Sequence, residues 1–276
     1  MKQKIKKMKN IFILLFILLP HSLAYSCTIF CVVENGKVYF CNNEDWSDTN
    51  TIIKFHAVKK GKYGWVYLGY EDNWAQGGVN DQGLCWDWVA WKEEKSWKAD
   101  SKKITLKGNP SEKMITKCSS LDEAIKFYDK YNEPSFASAR MMIADKDGQS
   151  AILSWKDGKL NIERLNGKLL AFGYKGPVVD SFFQTNTTKE TIRKLTEALN
   201  CSHQEGKYPT QYSNIISLTD GKLYLFKSHN FQKYAEINYL TELNQKNRSI
   251  KISDLFADDF NKTGIRLVES ITNSNQ

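Results

Sequence analysis

The run Leu23-Ala24-Tyr25-Ser26, followed by Cys27, combines two features that together would make a nucleophile. Ala24 and Ser26 are small residues at the −3 and −1 positions, the spacing at which a leader is cut. A cut there makes Cys27 the first residue and puts a free α-amine beside its thiol. An amine with a reference pKa of about 8 can take a thiol proton near neutrality and activate the sulfur for attack on a carbonyl. A second cluster follows in Cys41-Asn42-Asn43-Glu44-Asp45-Trp46. Asp45 would orient the amine, and Asn42 and Asn43 would frame it with hydrogen bonds. An Asp at a strand end is often only a turn cap. Its pairing with a processed cysteine favours the catalytic reading.

Hairpins must bring these residues together. Residues 28 to 33 are mostly β-branched or aromatic, Glu34-Asn35-Gly36-Lys37 is a hairpin turn, and Val38 to Cys41 returns. The start of the first strand and the end of the second then lie side by side, with Asn42 to Asp45 next to Cys27. Further on, Asn80-Asp81-Gln82-Gly83 is a tight turn, which makes Asn80 a structural residue before it is a chemical one. Trp86 and Trp88 share one face of the next strand, and Asp87, Val89 and Trp91 share the other. Rows of tryptophan usually build core; Trp88, and Trp46 after the first cluster, are the ones that could wall an apolar acyl site. A helix is expected from Ser120, and a meander of strands from Ala137 to Tyr174. Val178 to Asn186 is expected to be extended and to lead into a helix reaching about Leu199. Asn186 at that junction is either a helix cap or a side-chain amide donor to an oxyanion. From Leu240 the chain is polar and is expected to wrap the surface.

Residues 2 to 9 hold five lysines and no acid, and Ile11 to Leu19 is continuously apolar before Pro20. That is the pattern of a secretory signal peptide over residues 1–26, too short to span a membrane, and it predicts an exported, periplasmic or secreted protein. A lipid-modified Cys27 is the competing reading. It would block the sulfur, and Ala24 at −3 and Tyr25 at −2 fit its pattern poorly. The leader carries five of the basic residues behind the formal charge of +8, so the remainder stands at about +3. That balance gives no reason to expect a nucleic-acid partner. Residues 27–276 suit one domain with a polar tail from about 257. The six cysteines are widely spaced and the histidines few, so neither a metal site nor a cofactor is expected. Whether the chain forms a homo-oligomer is left open.

In order and spacing these pieces resemble the choloylglycine hydrolase and penicillin V acylase family, over roughly residues 27–256. The resemblance rests on Cys27-Thr28, Cys41 to Trp46, Gly78-Val79-Asn80-Asp81-Gln82-Gly83-Leu84, Asp145 to Gly148, Thr185-Asn186 and Tyr212 to Leu218. It implies an α+β fold, the four-layer αββα sandwich of two antiparallel sheets found in N-terminal nucleophile hydrolases. It implies hydrolysis of a linear amide of a small N-acyl compound through a thioester on Cys27, with Asp45 and Asn186 as catalytic partners. Asn42 stands where the family has an arginine, and a neutral amide cannot supply that fixed charge. Ala90 stands where bile-salt enzymes carry a further pocket Asn. An N-acyltransferase, and a non-catalytic binding protein on the same fold, are the alternatives.

Overall fold

The computed structural model describes residues 27–72, 74–165, 168–257, 260 and 264–269. The expected signal peptide, residues 1–26, lies outside the described residues. Two antiparallel sheets form the centre. In the first, β1 (Thr28–Glu34), β2 (Lys37–Asp45), β10 (Leu169–Gly173), β11 (Thr210–Ser217), β12 (Lys222–Lys227), β13 (Lys233–Asn238) and β15 (Ile265–Glu269) stand in the order β10-β1-β2-β11-β12-β13-β15. The second contains β3 (Thr51–His56), β4 (Trp65–Tyr70), β5 (Gly77–Asn80), β6 (Cys85–Ala90), β7 (Ala139–Ala144), β8 (Ser150–Lys156), β9 (Lys159–Arg164) and β14 (Arg248–Lys251). Its order is β14-β3-β4-β5-β6-β7-β8-β9.

Strand alternation sorts the side chains into three cores. Ile29, Cys31, Val38 and Phe40 of the first sheet meet Phe55, Val66, Val79 and Val89 of the second between the sheets. Phe30, Val32, Tyr39 and Cys41 point the other way, onto helices α3 (Gly176–Thr185) and α4 (Thr191–Ser202), through Val179, Leu195 and Leu199. On the far side, Trp65, Trp86, Met141 and Ile143 of the second sheet pack on helices α1 (Pro110–Ile115) and α2 (Leu121–Lys130). Helices therefore cover both outer faces, and the chain is the expected four-layer αββα sandwich. A short helix, α5 (Tyr239–Leu243), follows β13.

The first hairpin forms as the sequence predicts. Asn35 and Gly36 both have positive φ, 51° and 74°, and Glu34 pairs with Lys37. Two expectations are corrected. Residues 178 to 185 belong to helix α3, not to an extended run. Pro177 sits in its first turn, where its missing N–H costs nothing. Burial of Val179 and the ring contact of Phe183 with Phe30 override the β-propensity of the segment. The region after Leu240 is not only surface tail, because β14 and β15 extend the two sheets at their edges.

One glycine bears directly on the start of β1. Gly173 pairs with Thr28 and has φ of 106°. A Cβ there would lie 2.0 Å from the Cys27 carbonyl oxygen. We expect Gly173→Ala to displace Cys27 and to lower stability by about 1–3 kcal/mol. Urea unfolding measures this; a loss below about 0.5 kcal/mol would show that the two strands separate freely.

Candidate active site

Cys27 enters the first sheet one residue before β1. Its carbonyl accepts the Tyr174 N–H at 3.3 Å, beyond the end of β10. Its side chain lies on the inter-sheet face with Ile29 and Cys31 and is only 7% exposed. The neighbouring strand supplies Asn42 and Glu44 on the same face, since Ile29 pairs with Asn42. The Cys27 thiol donates to Glu44 Oε2 at 3.4 Å. Burial pushes the Cys27 thiol pKa up, and the charges of Glu44 and Asp45 add to that rise. The backbone N–H of Asp45 acts in the opposite direction by favouring the thiolate.

Cys27 lines a cavity of about 260 Å³ with Glu44, Asp45, Trp46, Trp74, Gln76 and Trp88, and with Ala90, Ser135, Ser138 and Ala139. The sequence expectation that Asp45 stands beside Cys27 thus holds in space. The Asp45 carboxylate takes one hydrogen bond on each oxygen, from Gln204 Nε2 and Thr210 Oγ1, both at 2.5 Å. Burial still raises its pKa to about 7. Trp46 is half exposed at the cavity mouth and stacks on Tyr208. Trp88 is buried in the wall, edge-on to Phe136.

The remaining candidates divide. Asn42 is fully buried, and its single amide nitrogen donates both to Glu44 Oε2 at 3.2 Å and to Asp87 Oδ2 at 2.8 Å. Asn43 points away from the cavity. Its amide binds Leu199 O and Ser202 Oγ, each at 3.0 Å, and Ser213 donates to its carbonyl at 2.6 Å, so it locks β2 to α4 and β11. Asn80 caps its own turn, accepting from the Gln82 and Leu84 N–H groups and donating to Ile115 O and Cys118 O. Asn186 is not among the cavity residues. It follows α3, donates to Glu197 Oε2 at 3.1 Å and accepts the Thr188 N–H at 2.8 Å. Asn186 ends α3 and its side chain braces the turn before α4, whose N-cap is Glu190, so it does not cap the following helix as expected, and its amide is turned to Glu197. The displacement follows from α3, which carries residue 186 away from the end of β10.

Sequence reasoning passed over Glu44, Asp87 and Tyr70. Tyr70 donates to Glu44 Oε1 at 3.4 Å, and Asp87 accepts the Trp88 N–H at 2.7 Å. The available signal was alternation: Asn42 and Glu44 continue the face of Val38 and Phe40, and Asp87 shares that of Val89. Polar residues on a core face need partners. Burial raises the Glu44 pKa to about 7, against the hydrogen bonds from Asn42, Cys27 and Tyr70. Asp87 is raised further by burial and by the charge of Glu44.

These shifts set a pH dependence. An unfolded Glu or Asp ionises at about 4. Between about pH 4 and 7 the unfolded chain has therefore lost protons that the folded site keeps, and stability falls as pH rises through that window. Above the folded values the effect is complete. We expect wild type to lose on the order of 2 kcal/mol from pH 5 to 7.5 relative to Glu44→Gln. Paired thermal unfolding curves check this; identical pH profiles would place Glu44 in water.

By sequence, no family model matches the chain, and no curated protein does. Solved structures do. A penicillin V acylase from Agrobacterium tumefaciens is 15% identical with a TM-score of 0.57, over 73% of this chain and 82% of that one. An arginine-to-leucine variant of the conjugated bile acid hydrolase from Clostridium perfringens is 16% identical with a TM-score of 0.53, over 88% and 97%. A cysteine-to-alanine variant of the same hydrolase also shows 16% and 0.53, over 90% and 100%. The chain has the fold of these two hydrolases, as the two antiparallel sheets and their helical covers already indicated.

Proposed function

We propose that this chain is an exported N-terminal nucleophile hydrolase of the choloylglycine hydrolase and penicillin V acylase family, cleaving the linear amide of a small N-acyl compound. The observation that carries the reading is the position of the Cys27 thiol. It lies in a cavity beside Asp45, one residue before β1, at the position that a cut after Ser26 would make the N-terminus. The shared fold with a penicillin V acylase and a bile acid hydrolase supports it.

The chemistry would run in two steps. The Cys27 sulfur attacks the amide carbonyl, and the freed α-ammonium protonates the departing nitrogen. Water then loses a proton to the amine and opens the thioester. Asp45, held at both oxygens, orients the ammonium group. Gln76, Ser135 and Ser138 are the uncharged polar residues on the cavity wall. The Trp46, Trp74 and Trp88 rings with Ala90 and Ala139 suit an apolar acyl group.

Intact mass of the exported protein, with a short iodoacetamide pulse at neutral pH, tests the reading. We expect a chain starting at an unblocked Cys27 whose N-terminal peptide is alkylated. Cys201, the exposed cysteine, is read on its own peptide. A diacylglycerol-sized addition, or a start elsewhere, would remove the amine–thiol pair and favour a binding protein. On a panel of fatty-acyl and phenylacyl 4-nitroanilides, Cys27→Ser should lose at least 10³-fold in turnover while remaining folded. Asp45→Asn should fold and lose about 10²-fold; an unchanged rate would reduce Asp45 to a brace for Gln204 and Thr210. Product assays with and without an added primary amine separate hydrolysis from acyl transfer.

A further inference from the structure

The thiol proton has an acceptor that is not the amine. We propose that Glu44 is a catalytic residue, the base that takes the proton of the Cys27 thiol as its sulfur attacks. The inference rests on Cys27 being the nucleophile and goes beyond it, by assigning a second acid–base group to the site.

The geometry is specific. Glu44 Oε2 lies 3.4 Å from Cys27 Sγ, and the thiol is the donor. The same oxygen accepts from Asn42, and Oε1 accepts from Tyr70. The carboxylate is thus fixed by β2 on one side and β4 on the other, with both oxygens occupied. It lines the cavity with the sulfur, so the proton acceptor, the nucleophile and the entering substrate share one space. Asn42 determines this arrangement. A guanidinium at position 42 would neutralise Glu44 by pairing with it, whereas an amide restrains the carboxylate without cancelling its charge. The groups facing Glu44 are Cys27 from the start of β1, Asn42 and Asp45 from β2, Tyr67 and Tyr70 from β4, Asp87 from β6 and Tyr212 from β11. Burial, against the hydrogen bonds from Asn42, Cys27 and Tyr70, holds Glu44 near neutrality, where a base serves both halves of a proton transfer.

The protons balance. In acylation the S–H proton moves to Glu44, the C–S bond forms, and the α-ammonium gives a proton to the leaving nitrogen as the C–N bond breaks. In deacylation water gives a proton to the amine, its oxygen bonds to carbon, and the C–S bond breaks. The sulfur recovers its proton from Glu44. The thiol, the carboxylate and the ammonium group are all restored.

The test is the pH profile of iodoacetamide alkylation, read on the Cys27 peptide of the full mature protein, which needs no substrate. We expect the wild-type rate to rise through an inflection near pH 7 as Glu44 loses its proton. Glu44→Gln should abolish that inflection and slow alkylation at pH 7.5 at least tenfold. Glu44→Asp should keep an inflection with an intermediate rate. If Glu44 acted only as a nearby negative charge, Glu44→Gln would ease thiolate formation and speed alkylation; that result, or an unchanged rate, overturns the proposal. Should Glu44→Gln fail to fold, Glu44→Asp decides: a displaced inflection supports the assignment and an unchanged profile overturns it. A Glu44-dependent profile in a protein that cleaves no amide would sink the hydrolase reading alone. Amide turnover indifferent to Glu44 would sink this one alone.

Discussion

One amide nitrogen between two buried carboxylates sets the character of this site. Asn42 donates to Glu44 and to Asp87 from the same Nδ2, so β2 of one sheet is tied to β6 of the other across the inter-sheet core. Two carboxylates out of water and this close cannot both be charged at modest cost. Burial raises both, Asp87 also through the charge of Glu44, and Glu44 reaches about 7, where it can hold or release a proton. Removing the bridge would leave two acids facing each other on apolar strand faces. The identity of residue 42 therefore fixes both the sheet-to-sheet link and the charge beside the thiol.

The layers follow from a simple division. Along β1 and β2 alternate residues look inward to the second sheet or outward to α3 and α4. The outward set is apolar until Asn43, which spends its side chain on Leu199, Ser202 and Ser213. The inward set is apolar until Asn42, and there the cavity begins. Polar chemistry is thus confined to the last residues of β2, where strand ends open between the sheets and water or a substrate can reach them.

Much of this was legible in the chain. The Asn35-Gly36 turn fixed the register that puts residues 42 to 45 next to Cys27, because that dipeptide supplies two consecutive positive φ values cheaply. The edge of legibility lies where local preference and tertiary packing disagree. The segment Val178-Val179 with Phe182-Phe183 has β-type composition, yet it is helical because Val179, Phe182 and Phe183 cover the outer face of β1 while Val178 faces out. The misplacement of Asn186 follows directly. The acids were hidden for another reason. A period-2 pattern shows that Glu44 and Asp87 point into the core, but not that Asn42, two residues from Glu44 and 45 from Asp87, bridges them.

The carbonyl of Cys27 is bound by the Tyr174 N–H, and a Gly at 173 lets β10 approach it closely. Cys27 is consequently anchored from a strand that lies downstream in the sequence. Chain ends ordinarily fray, because nothing opposes the entropy of the last few residues. Here the beginning of β1 is clamped between β10 and β2. A thiol on a fraying segment would sample many positions. Set into a sheet, Cys27 keeps one position, and its side chain keeps one direction into the space between the sheets.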